Sequence, residues 1–453
     1  MRHCDTLITP GWCIPVEPAG AVLEGYAVVV AEGRIADLLP AAEAREVWQP
    51  SVRIERPGHV LLPGLINAHT HAAMTLLRGV ADDLPLEPWL AEGVWPIEKR
   101  WADAEMVRDG VQLAIAEMLH AGITCFADQY FFPEIVAETA VDLHMRAVVG
   151  TPVMHFPTPW ANDASEYLAK GSELVHDRYA GHPLITSAFT PHSTLTLTDA
   201  EFLELRVLAD QLDVPVQIHL QETRGEIVRS LEETGKRPFQ RLQDLGLLNA
   251  SLLAVHCVHM EAAEIAELAR AGVSVAHCPK SNLKLASGIA PVAELRAAGV
   301  NVAIGTDGAA SNNTLDVLDE LRIATLLARG VTGDAAALTA HEALRMATLN
   351  AAHALALGDE TGSIEVGKAA DLTCIDLERC HSQPVYDAAS QVVYTARAGQ
   401  VTDAWVAGRH QLDGGRLTGV DTADLLARCD EWRQRIAGDP DPSRNLSQRR
   451  VRQ

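Results

Sequence analysis

Eight short apolar runs, each followed by a stretch with helical spacing, constrain this chain more than any other feature. They are Val60-Leu61-Leu62, Thr124-Cys125-Phe126-Ala127, Ala147-Val148-Val149 and Leu184-Ile185-Thr186-Ser187-Ala188-Phe189 in the first half. Val214-Pro215-Val216-Gln217-Ile218, Leu252-Leu253-Ala254-Val255, Val273-Ser274-Val275-Ala276 and Val300-Asn301-Val302-Ala303-Ile304 complete the set. Between them lie amphipathic stretches at 105–120, where Met106, Val107, Val111, Ala114, Ile115, Met118 and Leu119 recur with helical period, and at roughly 198–212, 261–271 and 314–329. Buried strands alternating with helices imply a parallel sheet, and eight such units are the count of a closed (β/α)₈ barrel of the TIM type. A doubly wound open sheet is the competing topology, but the Gly-rich turn with which it would bind a dinucleotide is missing after the first run.

The chain ends have a different texture. Ala27-Val28-Val29-Val30-Ala31, the turn Glu32-Gly33-Arg34 and Ile35-Ala36-Asp37-Leu38 read as short strands, as do 371–376, Val392-Val393-Tyr394 and 404–409. The expected α/β organisation is therefore a barrel at 61–360 carried by a small discontinuous β-sandwich, built from 1–60 and 361–420. A C-terminal helix and polar tail are expected over 421–453.

Composition removes several functions. The net charge of −23 at pH 7 leaves no basic stripe for nucleic acid and disfavours an anionic membrane surface. No apolar run reaches the ~20 residues of a membrane-spanning helix. The eight cysteines contain no Cys-x-x-Cys pair, so neither a zinc knuckle nor a dithiol redox site is expected. The polar Met1-Arg2-His3-Cys4-Asp5 is unlike a signal peptide, which makes the cytoplasm the expected compartment. A homo-oligomer is left open.

Barrel enzymes of this type work at the C-terminal ends of their strands, so ionisable residues there carry the chemistry. The first run leads into Pro63-Gly64-Leu65-Ile66-Asn67-Ala68-His69-Thr70-His71, whose two imidazoles, two residues apart on extended chain, share a face and can reach one ion. The fifth run ends in His219-Leu220-Gln221-Glu222, the sixth in His256-Cys257, and the eighth in Gly305-Thr306-Asp307-Gly308. The His-x-His pair already favours a metal; a single histidine beyond an apolar run is more often packing, but ligand-type residues at four strand ends together are not accidental. His69, His71, His219 and Asp307 form a donor set suited to one divalent ion, zinc or alternatively iron, with a position left for water. Glu222 stands close enough to carry a proton to a leaving group. His256 can polarise an electrophile or stabilise charge on it, and Asp307 can also accept a proton from the attacking water.

These motifs, with Val255-His256-Cys257 and the late segment Thr361-Gly362-Ser363-Ile364-Glu365-Val366-Gly367-Lys368, resemble the amidohydrolase superfamily nearly end to end. The narrower resemblance is to the 5'-methylthioadenosine/S-adenosylhomocysteine deaminases, beside the triazine hydrolases. Members with two metals usually bridge them by a carboxylated lysine at the end of strand four; here that region is Thr186-Ser187-Ala188-Phe189-Thr190-Pro191-His192, which implies one metal. The loop Leu84-Pro85-Leu86-Glu87-Pro88-Trp89-Leu90 followed by Val94-Trp95-Pro96-Ile97-Glu98 is similar to the substrate loop of the nucleoside deaminases. By that resemblance Glu98 binds the ribose hydroxyls, Trp89 packs on the apolar or sulfur-containing arm, and His192 contacts substrate, as do Glu222 and Asp307.

One departure concerns the arm. Some members hold the amino-acid carboxylate of S-adenosylhomocysteine with arginines before strand four, where this chain has Trp160-Ala161-Asn162-Asp163 and, as the nearby cation, Arg178. The implied activity is metal-dependent hydrolytic deamination of a small purine nucleoside. The alternatives are the same chemistry on a different ring (adenosine, oxidised purine, guanine or triazine) or a non-catalytic barrel relative, which would have lost ligand positions that are all present here. The zinc signature of the cytidine deaminases, His-x-Glu with Pro-Cys-x-x-Cys, does not occur.

Overall fold

The computed structural model describes residues 1–438. Its centre is the expected barrel: eight strands hydrogen-bonded in sequence order, with every pairing parallel. They are Leu65–Thr70, Ile123–Gln129, Arg146–Val153, Ile185–Pro191, Val216–Leu220, Leu252–His256, Ser274–His277 and Asn301–Ile304. Closure between the eighth and first strands is made at the mouth, where the backbone N–H groups of Thr306 and Asp307 donate to the carbonyl of His69 at 3.1 and 3.0 Å. The Asn67 amide and Thr306 reinforce it, Nδ2 to Oγ1 at 2.7 Å and Thr306 N to Oδ1 at 2.9 Å.

Alternation along each strand sorts side chains into two cores. Ile66, Ala68, Cys125, Ala127, Val148, Ala188, Leu253, Val255, Ala276 and Ala303 fill the barrel interior, mostly small residues suited to a closed layer. Ala351, Ala352 and Leu355 of the helix Leu349–Ala354 and its end close the same cluster from below. The outward residues Ile123, Phe126, Ala147, Val149, Ile218, Leu220, Val275, Val302 and Ile304 join the larger core under the surrounding helices.

The chain ends build a second, nine-stranded sheet. Arg2–Cys13, Tyr26–Ala31, Arg34–Pro40 and Trp48–Pro63 pair with Leu372–Asp376, Val401–Val406, Arg409–Asp413 and two short strands. Two readings from the sequence are corrected here. Val60-Leu61-Leu62 belongs to this sheet, not to the barrel, whose first strand begins at Leu65. A run buried on both faces looks the same in either setting: Val60 and Leu62 pack into the larger core under the helices while Leu61 packs inside the sheet. Val392-Val393-Tyr394 lies in the helix Ala388–Tyr394, because Asp387 caps its first turn by accepting from Ala389 N and Ser390 N, which outweighs the β preference of two valines.

Helix Ala104–His120 buttresses the turn Ala72–Leu77 that follows His71, and Gly110 permits the approach: a Cβ there would sit 2.5 Å from the Ala73 carbonyl oxygen. The C-terminal helix Thr422–Ala437 lies over that helix, with Trp432 Nε1 donating to Asp109 at 2.8 Å and Arg428 paired with the same carboxylate. The expected polar end, 447–453, lies outside the described residues. No helix among the described residues is long and apolar enough to cross a membrane.

Candidate metal centre

His69, His71, His219 and Asp307 converge at the barrel mouth, with one ligand atom from each lying within 4.8 Å of the others. His69 Nε2 is 3.2 Å from His219 Nε2 and 3.5 Å from Asp307 Oδ1, and His71 Nε2 is 3.2 Å from the same oxygen. Two donors about 2.1 Å from a tetrahedral ion stand roughly 3.4 Å apart, so these separations are those of ligands sharing a cation.

Each donor is held from behind. His71 Nδ1 meets the Gln129 carbonyl at 2.6 Å, His219 Nδ1 the His192 carbonyl at 2.7 Å, and His69 Nδ1 the Gln217 amide at 3.0 Å. All three rings therefore present Nε2 to the centre. Asp307 Oδ2 accepts from Ser281 Oγ at 2.6 Å and Ser311 Oγ at 2.8 Å, while Oδ1 accepts from Gly308 N at 2.8 Å and faces the imidazoles. Such outer contacts fix ligand orientation and basicity.

Electrostatics agree with a cation site. Burial would raise Asp307, but His69 and His71 hold its carboxyl well below the usual range. Burial likewise opposes a charged His71, yet the bond and charge of Asp307 raise it to about 9, whereas burial holds His69 down at about 4 and His219 well below 6.5. One proton on His71 thus balances a buried carboxylate that a divalent ion would balance better.

Backbone geometry marks the same strand ends. Gln221, His256, Cys257 and Asp307 have φ of 50°, 71°, 49° and 62°, a left-handed conformation unusual for non-glycine residues and found where a side chain must be aimed. Gly305 and Gly308 let the Asp307 turn lie against the first strand: a Cβ on Gly305 would stand 2.9 Å from His69 N, and one on Gly308 2.9 Å from Met74 Sδ.

Glu222, His256, His192 and Glu98, also singled out from the sequence, stand around this cluster. Glu222 is buried, and burial raises its carboxyl even against the pull of His256; its Oε1 accepts from Ser287 Oγ at 2.9 Å and its Oε2 lies 3.6 Å from His256 Nε2. The His256 ring stacks on His219 at 5.4 Å between centroids, and its Nδ1 bonds to Asn282 Oδ1 at 2.9 Å. The His192 ring is 4.8 Å from that of His219, and burial lowers it to about 4, so it is neutral at pH 7. Glu98 is buried with Oε1 unpartnered, and burial pushes it up to about 7 against the opposing influence of Tyr130 and His71. Trp89, on the same excursion from the first strand, is buried with its indole N–H unpartnered. Arg178 is engaged elsewhere, in an ion pair with Glu138 at 2.9 Å and over the Tyr179 ring. Burial raises the thiols of Cys257 and Cys278, which suits packing rather than nucleophilic attack.

The supporting shell was not found from sequence. Gln129 and Asp128, just past the second apolar run, hold His71 and the Ala72 N–H (Asp128 Oδ1, 2.6 Å), and Gln217 was read only as part of a strand. Ser281, Asn282, Ser287 and Ser311 carry no spacing signal, since small polar residues in loops are common.

Residues 60–410 match the amidohydrolase family. The chain is 47% identical to a 5-methylthioadenosine/S-adenosylhomocysteine deaminase of Teredinibacter turnerae, over 95% of this chain and 98% of that one. It is 39% identical to a 5'-deoxyadenosine deaminase of Methanopyrus kandleri, over 93% and 97%. Among solved structures, an adenosine deaminase from Xanthomonas campestris with bound zinc superposes with a TM-score of 0.95 at 50% identity, covering 97% of this chain and all of that one. The atrazine chlorohydrolase of Arthrobacter aurescens, complexed with zinc, superposes with a TM-score of 0.87 at 25% identity, over 94% and 99%.

Proposed function

From the premise that the chain belongs to the amidohydrolase family, we propose that it is a metal-dependent deaminase of adenine nucleosides, converting 5'-methylthioadenosine or S-adenosylhomocysteine to the inosyl analogue and ammonia. The observation that carries the reading is the convergence of three Nε2 atoms and one carboxylate within 4.8 Å, beside a buried glutamic acid able to hold a proton. His69, His71, His219 and Asp307 would hold one ion; the nitrogen-rich donor set and the zinc in the Xanthomonas structure favour zinc over iron. When bound, the ion supplies Lewis acidity that lowers the pKa of water toward neutrality.

The chain's own groups do the rest. Water adds to carbon 6 of the purine, giving its first proton to Asp307, while Glu222, kept protonated more readily than an exposed acid, gives its own proton to the adjacent ring nitrogen. The Glu222 carboxylate then takes the second proton from the oxygen now on carbon 6 and passes it to the departing amine, and the proton held by Asp307 restores Glu222. Water and nucleoside thus leave as ammonia and the oxo product. His256 presents Nε2 to the reacting side, where it stabilises charge growing on the oxygen at carbon 6.

Substrate is read from the other side of the cluster. The unpartnered Glu98 oxygen in a buried setting calls for hydrogen-bond donors, which a ribose diol supplies. His192 and Trp89 are placed by the same reading against the sugar and its 5' arm. Ammonia release from a panel of adenine nucleosides, guanine, cytosine and triazines tests it. Activity on guanine or triazines with none on adenine nucleosides would overturn the substrate class and leave the metal centre standing.

A further inference from the structure

The seventh barrel strand, Ser274–His277, sends no side chain to the ion or to the proton transfer, yet the segment after it touches three of the groups that do. Helix Pro279–Lys284 starts directly at the strand's end. Within ten residues Ser281 Oγ donates to Asp307 Oδ2 at 2.6 Å, Asn282 Oδ1 accepts from His256 Nδ1 at 2.9 Å, and Ser287 Oγ donates to Glu222 Oε1 at 2.9 Å. All three side chains are buried.

The segment is itself fixed. Ser287 N donates to the Asn282 carbonyl at 2.8 Å, His259 Nε2 meets the Ser287 carbonyl at 2.8 Å, and Lys284 Nζ donates to the Ala310 carbonyl at 3.0 Å and Asp82 at 2.6 Å. Ala286 and Gly288, at φ 56° and 132°, make the turn that brings Ser287 back over the mouth.

We propose that residues 279–288 are a positioning segment: through Ser281, Asn282 and Ser287 they set the orientation of Asp307, His256 and Glu222 together. The proposal rests on the reading of Glu222 as the proton carrier. A carboxyl turns readily about its last bond, with two near-equivalent states. Ser287 removes that freedom by engaging Oε1, which leaves Oε2 as the oxygen nearest His256 Nε2. Asn282 accepts the Nδ1 proton of His256 and so keeps Nε2 as the nitrogen presented to the reacting centre. Ser281 pins the outer oxygen of Asp307 and leaves Oδ1 to the ion. One rigid loop therefore coordinates metal binding, charge stabilisation and proton transfer.

The test uses the zinc-loaded full chain with 5'-methylthioadenosine. Ser287→Ala is expected to lower kcat roughly 10- to 100-fold, the range for losing a group that orients a functional side chain, with KM and zinc content within twofold of wild type. Ser287→Thr, which keeps the hydroxyl, should restore most of the loss. Ser287→Cys, of similar volume with a weak donor, should resemble the alanine variant and serves if that one folds poorly. In a Glu222→Gln background, followed with enzyme in excess over substrate, Ser287→Ala should change nothing further, because its effect runs through Glu222. Ser281→Ala should weaken zinc about 10-fold or more in competition with a chromophoric chelator. Wild-type kcat in Ser287→Ala, additive losses in the double variant, or a parallel rise of KM with zinc loss would overturn the proposal. Full turnover by Glu222→Gln alone would instead overturn the proton-carrier reading beneath it.

Discussion

Gly305→Ala is the sharpest probe of how the metal centre is assembled. Gly305 lies two residues before Asp307, where the eighth strand closes against the first. A Cβ there would stand 2.9 Å from both the backbone N and the Cβ of His69, and 3.1 Å from Cys278 Sγ. Carbon atoms pack at about 3.5–4.0 Å, so the strands must part by roughly 0.6 Å or more, and the obstacle is backbone, which cannot swing aside. The same backbone carries the Thr306 and Asp307 N–H bonds to the His69 carbonyl, so the shift moves the carboxylate away from the imidazoles. Metal ligands tolerate about 0.2 Å. The expected result is a loss of zinc affinity of about 10- to 100-fold, with about 1–3 kcal/mol of destabilisation from overpacking. Zinc competition against a chromophoric chelator and denaturant unfolding of the metal-free protein measure the two. Gly308→Ala is the contrast: its Cβ would meet Met74 Sδ at 2.9 Å, a flexible side-chain end, and His71 Cβ at 3.2 Å, so its effect should be smaller. Gly399→Ala, with nothing within 4 Å, should be silent for zinc. A folded Gly305→Ala protein with wild-type zinc affinity, or a Gly308→Ala protein more impaired, would refute the argument.

Four further outcomes are expected. Purified protein should hold close to one divalent ion at this centre, and His69→Ala or Asp307→Ala should lose most of it along with activity; two ions per chain, both lost in those variants, would contradict a mononuclear centre. Glu98→Ala should raise KM for nucleosides about 10- to 100-fold, the cost of leaving buried ribose donors unsatisfied, and leave turnover of free adenine unchanged; equal effects on both would remove Glu98 from the ribose. Because Arg178 is paired with Glu138, 5'-methylthioadenosine should be processed with kcat/KM at least equal to that of S-adenosylhomocysteine, whose carboxylate needs a cation; a strong preference for the latter would show that one closes over the arm. Glu320, fully buried and pushed up to about 8 by burial, stays protonated in the folded chain above the 4.5 at which it ionises when unfolded. Its contribution therefore declines as pH rises from 4.5 to 8, by up to about 1.4 kcal/mol per pH unit. Glu320→Gln should flatten that decline, with a larger gain in melting temperature at pH 8.5 than at pH 5; a gain independent of pH would show that the carboxyl ionises normally.

The metal donors were legible because metal chemistry restricts residue type and barrel topology restricts place: His69-Thr70-His71, His219 and Asp307 each follow an apolar run. The strand count was legible from the same periodicity, although the first run was placed in the wrong sheet, since Val60–Leu62 is buried on both faces in either setting. What the sequence hid is the orienting layer. Ser281, Asn282 and Ser287 act through distances of 2.6 to 2.9 Å that only the folded loop creates. The same holds for the left-handed backbone at His256 and Asp307, a property of conformation that residue type does not announce.

The places where the chain leaves the nine-stranded sheet and returns to it lie side by side: Gly64 N donates to the Asp371 carbonyl at 2.9 Å, and Pro63 is in register with Leu372. A ribosome therefore releases the strand Trp48–Pro63 long before its partner Leu372–Asp376 exists, with the whole barrel synthesised in between. Over that interval the segment His59–Pro63, which includes Val60, Leu61 and Leu62, offers an open, apolar strand edge to any neighbouring nascent chain. The strand as far as Pro57 is blunted by Pro50, Arg53, Glu55, Arg56 and Pro57; the stretch from Val60 to Leu62 is not. That edge stays uncovered, in a sheet that contributes none of the metal donors, until the barrel has been made and residue 372 returns to residue 63.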